Sequence, residues 1–236
     1  MPIITERPTS LGAPPVDDPA AHRRALAERL GRPELRTADD RLLTLVPGQV
    51  VALHGDPGSG LTRVGLALLA DVARQAPVVA VDVRGWISPL GAWEVGIPPE
   101  RFVLVRDVDA TRWPQVIGTL LDGVKAVYAE LPPGVPDVVV RRAAAGARSR
   151  RVGLVLRPLR GTVPAGVAHL TLESVDVDWV GVGSGVGHLA DRRLGLRAAG
   201  KAVAGTERHL RLDDDGSHPL HLVGRVAPAP SRRTAG

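Results

Sequence analysis

Val50-Val51-Ala52-Leu53-His54-Gly55-Asp56-Pro57-Gly58-Ser59-Gly60-Leu61-Thr62 is the stretch on which the fold turns. An apolar run of strand length enters a glycine-rich turn, and Thr62 to Arg74 beyond it reads as a helix. The turn keeps the outer glycines and the terminal threonine of the pattern G-x-x-x-x-G-K-[ST], whose backbone amides cradle phosphates and whose lysine neutralises them. Leu61 stands where that lysine belongs. A unit charge about 4 Å from a phosphate oxygen, at an effective dielectric near 20, is worth roughly 4 kcal/mol before desolvation. The loop Gly55, Gly58, Ser59, Gly60, Leu61 and Thr62 thus has the frame of a phosphate site without its cation. Arg63 points about 200° away from residue 61 on a helix of 3.6 residues per turn. Its plainer reading is a solvated or ion-paired arginine, its sharper one a rescue of the loop.

Outward from the loop, short apolar runs alternate with helix-length segments, the rhythm of a parallel α/β sheet. Strands are expected at Val50–His54, Val78–Val83, Phe102–Arg106, Ala126–Leu131 and Val152–Arg157, with helices at Thr62–Arg74, Ser88–Val95, Thr111–Gly123 and Val135–Ala147. After Pro158 the pattern turns strand-like, at Ala168–Leu172, Asp191–Ala199, Glu207–Leu212 and Pro219–Val226, with Asp213 to Gly216 as a hairpin turn. The fold class is α/β, with a mainly parallel central sheet flanked by helices, antiparallel strands at the C-terminal end and a short helical extension at the N-terminus.

From Val50 to Arg106 the residues resemble the RecA-type ATPase core. Val81-Asp82-Val83-Arg84-Gly85-Trp86-Ile87-Ser88-Pro89-Leu90, followed by Gly96, Ile97 and Phe102, is similar without a gap to the RecA segment of strand, D-A-E, short helix, L-G-V and next strand. The resemblance places Arg84 where those enzymes carry the glutamate that orients the attacking water. A guanidinium cannot accept a proton from that water. Glu130 matches the acid at the end of the Walker B strand; it holds a metal through water or is simply an exposed strand-end acid. The compact length, the shortened DNA-loop regions and the strand end Leu154 to Pro158 resemble the ImuA-type accessory proteins of damage-induced mutagenesis.

That resemblance, which spans Leu42 to Leu212, implies a catalytically degenerate adaptor. Its implied partners are a Y-family polymerase-like protein and an error-prone replicative-type polymerase, with RecA or DNA as further candidates. It implies no required cofactor, leaving room for weak ATP and Mg²⁺ binding, and a cytoplasmic, nucleoid-associated location during DNA damage. Two rivals stand beside it: a divergent ATPase completed by a cation from a neighbouring subunit, and a DNA-binding modulator of a recombinase filament.

Composition sets the remaining bounds. The 236 residues suffice for one sizeable core, organised as a flexible 1–41 with a short helix, a core at 42–226 and a disordered tail at 227–236. There is no apolar run near twenty residues, so no membrane segment is expected, and the absence of cysteine excludes disulfides and thiolate chemistry. A formal charge of +5, carried almost wholly by arginine, permits contact with nucleic acid without demanding it. With six aromatic residues, a row of base-stacking platforms is not expected.

The candidate contact surfaces are arginine clusters. One is the helix at 19–30 with Arg23, Arg24 and Arg29; another gathers Arg141, Arg142, Arg148, Arg150 and Arg151, with Arg157 close behind. Each is read either as a solvated or core-packed helix or as a surface for a partner or a phosphate backbone. A third group, Arg192, Arg193, Arg197 and Lys201, flanks the glycine-rich stretch 181–187, which lacks the G-x-G-x-x-G spacing and reads as a connection. Asp213 to Asp215 with His218 and His221 reads as a charged hairpin before it reads as a metal site. Neither Ser59 nor Ser184 has the flanking glycines of a nucleophile elbow.

Overall fold

The computed structural model describes residues 43–180, 191–214 and 221–226. The expected N-terminal helix with Arg23, Arg24 and Arg29, the stretch 181–187, the turn residues Asp215 to His218 and the tail 227–236 lie outside the described residues.

Among the described residues nine strands form one sheet in the order β3-β2-β4-β5-β1-β6-β7-β8-β9. Strands β1 (Val50–His54), β2 (Val78–Asp82), β3 (Phe102–Arg106), β4 (Ala126–Leu131) and β5 (Gly153–Pro158) run parallel to their neighbours, and β6 (Leu170–Val180) runs parallel to β1. The strands β7 (Asp191–Ala199), β8 (Arg208–Asp214) and β9 (His221–Val226) continue the sheet as an antiparallel meander. In β2 and β4 every residue is buried, because both faces of a parallel sheet are covered and the apolar run cannot alternate.

Helices α1 (Leu61–Ala73) and α2 (Pro89–Glu94) cover one face, and α3 (Trp113–Gly123) and α4 (Asp137–Arg150) the other. Leu61, Val64, Leu68 and Leu69 of α1 share a core with Leu170 and Leu172 of β6, Leu194 and Leu196 of β7 and Leu210 and Leu212 of β8. Trp113, Ile117 and Leu121 of α3 pack with Val140, Ala144 and Ala147 of α4 on the opposite face. Where α1 crosses β4 the Tyr128 ring lies so close that a Cβ on Gly65 would sit 2.4 Å from it, which explains a glycine inside a helix.

Boundaries differ from expectation for local reasons. Helix α4 starts at Asp137 because Pro136 holds extended backbone just before it, and it ends at Arg151 in the left-handed region, whose N–H donates to the Arg148 carbonyl at 3.2 Å. Strand β6 runs on to Val180 instead of stopping at Leu172. Asp213 and Asp214 belong to β8 and not to a turn, since Asp213 is in register with His221. Among the described residues no helix is long and apolar enough to cross a membrane.

Candidate functional site

The glycine-rich loop lies between β1 and α1, at the carboxyl edge of the parallel strands, where open α/β sheets bind ligands. Its turn is closed by the Ser59 N–H donating to the Asp56 carbonyl at 3.2 Å. Gly60, with φ 77°, is the N-cap of α1 and leaves that helix end without a side-chain cap. Leu61 is 0% exposed and joins the core; its Cδ1 lies 2.8 Å from where a Cβ on Gly55 would be. The position that should present a cation is therefore an apolar plug packed under the loop. Ser59 is 7% exposed, and its Oγ has no hydrogen-bond partner among the described residues. Thr62 is half-buried. The Tyr128 phenol reaches toward it without closing a hydrogen bond of ordinary geometry, and burial, helped by the Glu130 charge, pushes that phenol far above its usual range.

Glu130, 0% exposed, is neither an exposed strand-end acid nor an open metal ligand. Its Oε2 accepts the Arg84 backbone N–H at 3.1 Å, and its Oε1 accepts Arg84 Nε at 2.9 Å together with a short contact from Nη2. The registers of β4 and β2 pair Ala129 with Val81, so Glu130 emerges beside the turn that carries Arg84. The far side of that guanidinium stacks over the exposed Trp86 ring, 4.6 Å from its centroid. Asp82, also buried, shapes the turn by accepting the Trp86 and Ile87 N–H groups at 3.0 Å each and Arg106 Nε at 3.3 Å. Arg63 pairs with Glu94 of α2 at 2.9 Å, directed at a neighbouring helix as the plainer reading has it.

Two further guanidinium groups reach the loop. Arg157, at the end of β5, is 4% exposed; its Nη2 donates to the Asp56 carbonyl at 3.4 Å, while Nε and Nη1 have no acceptor among the described residues. Burial lowers its pKa from the usual arginine value. This corrects the expectation of Arg157 as a surface contact for a partner or DNA. Arg192 lies on β7; its Cζ is 2.9 Å from the place a Cβ on Gly60 would take, and it stacks on the half-exposed Trp179 ring at 5.4 Å. Its arrival depends on the β6–β7 ladder, which pairs Trp179 with Arg192.

The arginine cluster on α4 is divided by the structure. Arg141 and Arg148 donate to the Ala165 and Val167 carbonyls at 2.8 and 3.2 Å, and Arg150 pairs with Asp122. Arg142 and Arg151 stay exposed. A shallow cleft of about 260 Å³, lined by His54, Thr171, Glu173 and the 162–166 segment, lies beside the end of β1.

Residues 41–165 match the family described as the MT3502 N-terminal domain. No curated protein matches the chain. Among solved structures, the crystal structure of the RadB recombinase is similar, with a TM-score of 0.53 and 18% identity, covering 76% of this chain and 95% of that one. At that identity the likeness concerns the fold, which is RecA-like, with the glycine-rich loop after its first strand.

Proposed function

Because the chain belongs to the family of the MT3502 N-terminal domain and has a RecA-like fold, we propose that it is a RecA-like scaffold that does not turn over ATP. The closure of Arg84 on buried Glu130 is the observation that carries this reading. Hydrolysis in such a site needs an acceptor to orient water and a carboxylate open to Mg²⁺. Here one position bears a guanidinium, and that guanidinium together with the Arg84 backbone N–H holds both carboxylate oxygens of the other. Leu61, sunk into the core, adds the loss of the phosphate cation.

The finer role rests on the resemblance to ImuA-type proteins: an adaptor for error-prone translesion synthesis that binds a Y-family polymerase-like partner. Candidate contact surfaces are the segment from Arg23 to Leu30, which the sequence reads as a helix, and the exposed Arg142 and Arg151 at α4. Two measurements test the reading. ATP turnover by the purified chain stays at zero across a wide range of protein concentration, since a site completed between subunits would switch on with assembly. Co-purification with the polymerase-like partner survives Gly60→Asp and Thr62→Ala. Concentration-dependent turnover, or loss of the partner in folded loop variants, would overturn it.

A further inference from the structure

We draw no further inference here: the strongest candidate, the shallow cleft beside the end of β1 where His54 stands in register with Glu173, carries none, because Arg197 already pairs with that carboxylate and among the described residues no further titratable side chain lines the cleft to show what would occupy it.

Discussion

Arg84, partly buried, and Glu130, fully buried, are a pair whose value lies in being complete. Removing the guanidinium strands a carboxylate that is itself 0% exposed. Arg84→Ala is expected to cost about 3–5 kcal/mol of stability, read from urea unfolding, because the Glu130 carboxylate is left uncompensated. Adding Glu130→Gln to that variant recovers part of the loss, and a double-mutant cycle gives the coupling. That Leu61 and Arg84 depart from a working site is readable from the chain. Their consequences are not, because a residue's burial and partner depend on strand neighbours far away in sequence. Glu130 meets Arg84 only because β2 lies beside β4. Arg192 reaches Gly60 only because β7 pairs with β6.

His169 shows a strand held by a single side chain at its start. Its N–H donates to the Val50 carbonyl at 2.8 Å, and its Nδ1 accepts the Val50 N–H at 3.0 Å, which locks the head of β1 to the entry of β6. Burial, followed by the Arg148 and Lys201 charges, holds this imidazole below its usual value of 6.5. His54, at the other end of β1, is lowered by burial with Glu173 opposing. In both, the unfolded chain binds the proton more readily than the folded one. Stability is therefore complete above pH 6.5 and falls as pH drops below it, flattening once the folded-state values are passed. Urea midpoints between pH 8 and pH 5 check the slope, and His169→Gln makes it shallower without abolishing it.

The first five strands and four helices are legible because each is an unbroken apolar run or a helical stripe bounded by proline or glycine. Strand β6 beyond Leu172 is harder to read. Glu173, Asp176 and Asp178 break the apolar run, and a bulge between Ser174 and Asp176 shifts the phase of the Val175, Val177 and Trp179 alternation.

The chain from the loop to β8 shares its interior across the parallel and antiparallel parts of the sheet. Leucines of β6, β7 and β8 complete the core that α1 begins. Residues 41–165, the span of the family match, end before β6. A chain cut at residue 165 is expected to expose that apolar face of α1, to aggregate or bind ANS, and to lose the cooperative thermal transition of the full chain. A sharp two-state melt from the shortened chain would show that the meander is dispensable for folding.

The sheet order also governs how the molecule is born. Among the described residues β1 is the first strand to leave the ribosome, yet its two neighbours begin at Gly153 and Leu170. From His54 to Gly153, about a hundred residues of synthesis, the nascent polypeptide carries β1 unpaired, and closing such distant contacts is slow. Translation speed and chaperone supply, more than the strength of any finished contact, then set how much of the chain reaches its native state.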